Sequence, residues 1–219
     1  MSDNPPEPGR PARPQAKRLD AGRLRRIVLV VAMLNLSYFF VEFAVALVAG
    51  SVSLLADSVD FLEDTAINLL IVLALGWPLA RRATMGKVMA LVILGPAAVA
   101  GWEAIQRFSE PRAPHVVPVL LASLGAIVIN GTSAWLLAGV RHRGGSLSRA
   151  AFLSARNDVL VNLAIIVMAL VTLRTGSGWP DLILGCFIIL LAFHAAHEVW
   201  EVSEEERLAA KALAGEEVD

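Results

Sequence analysis

The sequence predicts an all-α integral membrane protein with six transmembrane helices and with both termini in the cytoplasm. Three observations support this prediction: an apolar composition, six apolar segments long enough to span a membrane, and an uneven distribution of Lys and Arg. Apolar residues make up 56% of the 219 residues and charged residues only 18%, whereas about 25% is typical of soluble proteins. The net charge of −1 gives no bulk attraction to nucleic acid, so we expect no nucleic-acid partner.

Residues 1–25 are interpreted as a disordered cytoplasmic tail. The segment holds five of the eleven prolines, several Arg and Lys residues and few apolar ones. Such a composition cannot bury enough apolar surface to offset the entropy lost on ordering. It is not a signal peptide, because the apolar stretch that follows is too long and has no convincing small-residue cleavage site.

Six apolar segments follow, each with the roughly 20 residues that a helix needs to cross the hydrocarbon core. They form one transmembrane domain over residues 26–202, and a short charged cytoplasmic tail, expected to be helical, covers residues 203–219. Short connections with Gly and Pro separate the segments, and little more than Gly50 and Ser51 separates the first two. These two must therefore form a tight antiparallel hairpin. The six spans are residues 27–49, 52–76, 85–107, 116–140, 150–173 and 180–202.

The basic residues predict the orientation of these spans. The tail, the second connection and the fourth connection together carry thirteen Lys and Arg residues, whereas the opposite side carries only Arg107, Arg112 and Arg174. Cytoplasmic loops are enriched in Lys and Arg, so both termini are predicted to be cytoplasmic. We expect a multi-pass protein of the lipid bilayer, in a bacterial inner membrane.

Acidic residues interrupt the second span. At 100° per residue, Asp57, Asp60 and Asp64 share one stripe of the helix, while Glu63 points elsewhere. A mid-membrane acid costs about 3 kcal/mol on insertion scales, so three unpaired charges would cost roughly 9 kcal/mol. That is comparable with the stability of a whole domain, so a compensating partner is expected. Alternatively, Asp57 lies in the headgroup layer and the other acids pair with structural cations.

The fifth span carries a second polar stripe. Ser154, Asp158 and Asn162 follow one another at four-residue spacing and line one face of a helix. Arg156 lies off this stripe, where it can reach the cytoplasmic interface or pair with Asp158 or Glu63. The alternative reading of the stripe is a helix contact held by hydrogen bonds.

Two pairs of oxygen-bearing side chains, each one helical turn apart on adjacent helices, can enclose a divalent cation. The ion offsets the buried negative charge, and oxygen ligands suit Mn²⁺, Mg²⁺ or Ca²⁺, although Zn²⁺ also accepts carboxylates. Without the metal, neighbouring carboxylates in a low-dielectric site bind protons. Metal and protons then compete for the same oxygens, which is the chemical basis of antiport.

At these residues the sequence resembles the cation diffusion facilitator family of metal/proton antiporters. The resemblance covers about residues 25–202 and is carried by segments 50–64 and 151–158, following Asn35, Tyr38 and Glu42 in the first span. It implies a secondary transporter that exports a divalent cation in exchange for protons, as a homodimer and without a resident cofactor. It also implies a transport site made of one pair on the second span and one on the fifth, here Asp60 with Asp64 and Ser154 with Asp158.

The sequence departs from the family pattern at two points. Zinc-type members commonly have His at the first position of one or both pairs, where this chain has Asp60 and Ser154. The metal is therefore expected to be of the zinc or manganese class, and water, Asn157 or Asn162 could supply the fourth contact. Typical members also carry a cytosolic domain after the sixth span, so the chain is interpreted as a short form that lacks it.

Further residues are auxiliary candidates. His194 and His197, near the end of the sixth span, have the spacing of an additional metal site. Glu42 and Asn35 are candidates for supporting the main site or for a proton path, and Asp57 joins the acidic stripe.

The sequence leaves two other functions to compare with transport. A non-transporting membrane assembly or scaffold protein with a degenerate metal site is the first alternative. An enzyme is not expected, because the sequence has no Ser/His/Asp set, no HExxH motif and no phosphate-binding glycine loop.

Overall fold

Six α-helices make up the protein over residues 14–74, 76–140 and 145–215, the part of the chain that the computed structural model describes; side chains are described from residue 22, and again from residue 151 after the second gap. No strand occurs in this part, so the all-α prediction is confirmed. The helices are α1 Pro14–Ala49, α2 Val52–Ala74, α3 Leu79–Phe108, α4 Val116–Ala138, α5 Gly145–Thr175 and α6 Trp179–Ala214.

Five of these helices are long and apolar enough to span a membrane: α1 from Gly22, α3, α4, α5 from Ala151, and α6. Helix α2 is not among them, although it has the same 23-residue length as α4. Its acidic residues lower its hydropathy, but 15 of its residues are buried. Because α2 packs against α1, α3, α5 and α6, its polar side chains face other helices rather than lipid.

Several helices extend beyond the predicted spans, most of all at the two ends of the chain. Helix α1 begins at Pro14, so the backbone of residues 14–25, predicted to be a disordered tail, is helical. Proline suits the first position of a helix, and Ala16, Lys17 and Arg18 are good helix formers. Residues 1–13 lie outside the described part. At the other terminus α6 continues to Ala214, so the expected helical extension beyond the span 180–202 is confirmed up to that residue.

The start of α2 is anchored by three other helices. Gly50, with φ of +65°, makes the turn out of α1 in a conformation that glycine adopts without strain. The Ser51 hydroxyl then accepts a hydrogen bond from the Leu54 N–H (3.1 Å) and caps α2. Arg107 of α3 donates to the Gly50 carbonyl, and the His115 N–H, just before α4, donates to the Ala49 carbonyl (2.8 Å). We call this the turn end of the bundle, and the end where α1 begins the terminal end.

Asp181, near the start of α6, completes this anchor. Its carboxylate accepts hydrogen bonds from the Val52 and Ser53 N–H groups (2.8 and 3.2 Å) and from the hydroxyls of Ser51 and Ser53 (both 2.7 Å). An acidic group is favourable there because helix N-termini carry unpaired N–H donors and a partial positive charge. The contact fixes the depth of α2, and with it the depth of the acidic stripe.

Helices α3 and α6 are joined again at the terminal end. Arg82 pairs with Glu206, and Lys87 pairs with Glu204, which also binds Arg207 of its own helix. Gly86 lets the helices approach closely, since a Cβ atom there would lie 2.0 Å from the Ser203 hydroxyl. These ion pairs lie beyond the predicted sixth span.

Candidate cation site

The acidic stripe predicted on α2 faces the interior of the bundle. The side chains of Asp57 and Asp64 are only 1% and 3% exposed, and Asp60 between them is partly buried. Glu63 is also partly buried. The structure therefore places the acidic segment among the packed helices.

Asp64 is the point where three helices meet. One carboxylate oxygen accepts a hydrogen bond from Asn35 Nδ2 of α1 (3.1 Å), and the other accepts one from Ser154 Oγ of α5 (3.0 Å). The Asp158 carboxyl, one turn further along α5, is also a close charged neighbour of Asp64. Three of the four predicted transport-site residues are thus brought together, with Asn35 as an additional contact.

Asp60 extends this group toward the turn end. Its charged neighbours include Asp57 and Asp64 of its own helix, and Asp158 on α5 has Asp60 and Asp64 among its own. Across the described part of the chain, however, no three His, Cys, Asp or Glu side chains converge as a ready-made metal site. In this arrangement Ser154 and Asn35 donate their hydrogen bonds to Asp64, so those bonds must shift before the oxygens can surround an ion.

A second acidic pair lies between α1 and α2. Glu42 is completely buried and close to Asp57, yet none of the four carboxylate oxygens has a hydrogen-bond partner of normal geometry among the described residues. Asn162 of α5 is also completely buried and faces Asp57; its Nδ2 donates to the Asp158 carbonyl (3.1 Å) and its Oδ1 is unpartnered. No Lys or Arg belongs to the buried set in the described region, so no basic residue offsets these carboxylates.

Three auxiliary candidates lie away from these acids. Asn157 is exposed, on a face of α5 other than the one that carries Ser154. His194 and His197 are exposed on α6, and His197 pairs with Glu201 (3.3 Å). The four-residue spacing of His197 and Glu201 makes this a local helix contact, and neither histidine reaches the acidic stripe.

Sequence reasoning missed Asp181 and a polar face of α4. Ser123, Asn130 and Ser133 are buried on that helix, each with a side-chain oxygen that has no hydrogen-bond partner among the described residues. Their spacing of seven and three residues was a readable signal, because it places them on one helical face. For Asp181 the signal was its position in the first turn of the apolar α6. An acid there can accept hydrogen bonds from the serine-rich start of α2.

Comparison with known proteins places this arrangement in a family. Residues 28–204 match the family described as the cation efflux transmembrane domain. The chain is 30% identical over 185 residues to the zinc transporter ZitB of Escherichia coli (strain K12), covering 78% of this chain and 58% of that protein. It is 28% identical over 201 residues to ZitB of Pectobacterium atrosepticum, covering 86% and 62%.

A relative with a different name shows the same pattern. The chain is 24% identical over 192 residues to the cadmium, cobalt and zinc/H(+)-K(+) antiporter of Bacillus subtilis, covering 81% of this chain and 61% of that protein. The chain thus spans about three fifths of the length of these relatives. Its apolar helices and bacterial relatives identify a multi-pass integral protein of a bacterial inner membrane. The chain belongs to the cation diffusion facilitator family, through its cation efflux transmembrane domain.

Proposed function

We propose that the chain is a secondary active transporter that exports a divalent metal cation from the cytoplasm in exchange for protons. The observation that carries this proposal is the meeting of α1, α2 and α5 at Asp64, with Asp158 beside it and no basic residue in the buried set that the structure describes. Buried carboxylates without a basic partner require cations or protons for neutrality. The names of the relatives support the same function.

The proposed transport site consists of Asp60, Asp64, Ser154 and Asp158. All four offer oxygen, whereas the histidines of the described part, together with Cys186, are exposed. Oxygen donors suit manganese-like ions, and zinc also accepts carboxylates. The relatives are named for zinc, or for cadmium, cobalt and zinc. We therefore expect a divalent ion of the zinc or manganese class.

Proton exchange follows from competition for the same oxygens. An arriving cation displaces protons from the Asp64 and Asp158 carboxyl groups, and its departure leaves two close carboxylates that take protons up again. When no ion is bound, the hydrogen bonds from Ser154 and Asn35 keep the Asp64 carboxylate oriented. Either two protons or one divalent cation cancels the charge of the Asp64 and Asp158 carboxylates, so the loaded pair can be held in the low-dielectric interior.

A membrane assembly or scaffold protein with a degenerate site is the alternative function. The hydrogen bonds from Asn35 and Ser154 to Asp64 favour it, because they also describe a purely structural contact between helices. The two functions differ in whether metal crosses the membrane. The homodimer implied by the family is a separate proposal, which light scattering of the purified protein would test.

The test is transport by the purified chain in liposomes with an imposed pH gradient. Uptake of Mn²⁺, Zn²⁺, Fe²⁺, Co²⁺ and Cd²⁺ would be compared for the wild type, Asp64→Asn and Asp158→Asn. We expect each substitution to slow transport by at least about tenfold, because it removes a charged ligand. Glu110→Gln is the control, since Glu110 is a well-exposed acid near the turn end.

Two results would contradict the proposal. Metal uptake no greater than in empty liposomes would exclude transport and leave the scaffold function. Equal uptake by the wild type, Asp64→Asn and Asp158→Asn would keep the transporter but exclude this site.

A further inference from the structure

Glu42 and Asp57 lie on the turn-end side of the proposed transport site, about one helical turn from its Asp60. Asp57 precedes Asp64 by seven residues on α2, which places it about 10 Å closer to the turn end along the helix axis. Glu42 comes from α1 and Asn162 from α5, so three helices contribute to this second group. Asp60 lies between the two groups, with Asp57 and Asp64 both among its charged neighbours.

The two carboxylates face each other and the Asn162 amide, with no basic residue in the buried set that the structure describes. Glu42 and Asp57 are 0% and 1% exposed, and none of their four oxygens accepts a hydrogen bond of normal geometry from the described part of the protein. Asp64, by contrast, has both oxygens satisfied. Buried polar atoms are almost always hydrogen-bonded, and buried charges are almost always paired, so an unpartnered acidic pair indicates a bound species.

Asn162 gives an independent indication of a ligand. Its amide faces Asp57, it is completely buried, and its Oδ1 has no hydrogen-bond partner among the described residues. The N–H end of the amide is the one that faces Asp57, so a half-turn of the amide group brings Oδ1 to the carboxylates as a third hard donor from a third helix. Carboxylate and amide oxygens are the ligands that hard divalent cations take, and a 2+ charge neutralises both acids.

We propose that Glu42, Asp57 and the amide oxygen of Asn162 form a second cation site, which receives the divalent ion after it leaves Asp64 on its way to the turn end. The direction of movement rests on the function proposed above; the existence of the site does not. Asp60, the transport-site ligand nearest to Asp57, then passes the ion from the first site to the second. The acids along α2 thus belong to two cation-binding sites in series rather than to a single larger site.

Binding stoichiometry tests this inference. The detergent-purified full chain would be dialysed to equilibrium against Mn²⁺ and, separately, Co²⁺, and the bound metal would be counted per chain. We expect two ions of at least one metal for the wild type and one for the variant Glu42→Gln with Asp57→Asn. Asp64→Asn with Asp158→Asn should also keep one ion, at the second site. Glu110→Gln should keep both.

A spectroscopic measurement covers the case in which a variant fails to fold. Two Mn²⁺ ions about 10 Å apart broaden each other's electron paramagnetic resonance signal, so the wild type alone should show dipolar broadening as the second equivalent binds. Loss of the broadening in Asp57→Asn would support the assignment.

Three results would overturn the inference: one ion or none bound by the wild type, two ions still bound by the Glu42→Gln and Asp57→Asn variant, or no dipolar broadening at two equivalents. Transport in liposomes remains a separate measurement. Metal flux together with a single bound ion would therefore refute the second site and retain the transporter.

Discussion

Asp64 shows how one side chain can serve both structure and transport. It accepts hydrogen bonds from α1 and α5 while it projects from α2, so it ties three helices together at the level of the acidic stripe. A hydroxyl and an amide are suitable partners because they release a carboxylate more readily than a guanidinium would. The same oxygens can therefore hold helices at one moment and a cation at another.

Ser154→Ala separates these two roles. It removes the hydrogen bond to Asp64, which should lower the free energy of unfolding by about 1 kcal/mol and slow metal uptake less than Asp64→Asn does. Chemical unfolding and liposome uptake would be measured together. Ser37→Ala is the matched control, because among the described residues the exposed Ser37 hydroxyl bonds only to the Met33 carbonyl of its own helix. Uptake as slow as in Asp64→Asn would instead make Ser154 an indispensable ligand.

At the scale of the elements, α2 depends on its neighbours. Its N-terminus is fixed by Asp181, Arg107 and the backbone before α4, and α6 approaches it closely at Gly185. A Cβ atom at Gly185 would lie 2.8 Å from the Ser53 backbone nitrogen, closer than real contacts allow. The fit between α6 and α2 therefore sets the position of every acid on α2.

Gly185→Ala is expected to push α6 away from α2. Because the clash involves backbone atoms, it cannot be relieved by a change of rotamer, and we expect destabilisation of roughly 1–3 kcal/mol with reduced metal uptake. Gly95→Ala provides the control, since nothing lies within 4 Å of a Cβ atom there. Thermal unfolding in detergent would measure both variants. Equal melting temperatures for Gly185→Ala and the wild type would show that α6 and α2 do not pack this closely at Gly185.

The ion pairs between α3 and α6 predict a pH dependence at the terminal end. Hydrogen bonds from Arg207 and then Lys87 lower the pKa of Glu204 from 4.5 to about 2. A lowered pKa stabilises the folded state above the unfolded value of 4.5, and this stabilisation is lost as the pH falls toward 2. The wild type should therefore melt at a higher temperature than Glu204→Gln at pH 6, with the difference shrinking between pH 4.5 and 2. A difference that stays constant over that range would contradict the assignment.

At the scale of the molecule, cation binding should stabilise the whole bundle, because the ion would join α1, α2 and α5. A ligand at 100 times its dissociation constant adds about 2.7 kcal/mol to stability. The melting temperature should accordingly rise when the transported metal is added and fall back with a chelator. The variant combining Asp64→Asn with Asp57→Asn should lose most of this shift. An unchanged shift in that variant would place the bound metal elsewhere.

Five of the six helices could be predicted from length and hydropathy, which determine which segments can lie in a membrane; α2 could be predicted because the rest of its length is apolar, although its acids lower its hydropathy. The acidic stripe could also be predicted, since helical periodicity fixes the angles between Asp57, Asp60 and Asp64. Periodicity does not say which neighbour a face meets. This is why Asn157 and His197 were candidates although they are exposed, and why the pairing of Asp181 with the start of α2 was missed.

The polar composition of α2 has a consequence for the synthesis of the protein. A segment with four acids among residues 57–64 is a poor substrate for independent insertion into a bilayer, because each charge adds to the cost of leaving water. Helix α1 precedes it by a two-residue turn and carries Asn35, whose amide N–H donates a hydrogen bond to Asp64. We therefore expect the two helices to insert into the membrane as a pair, with α1 lowering the cost of inserting the helix that holds the acidic side chains.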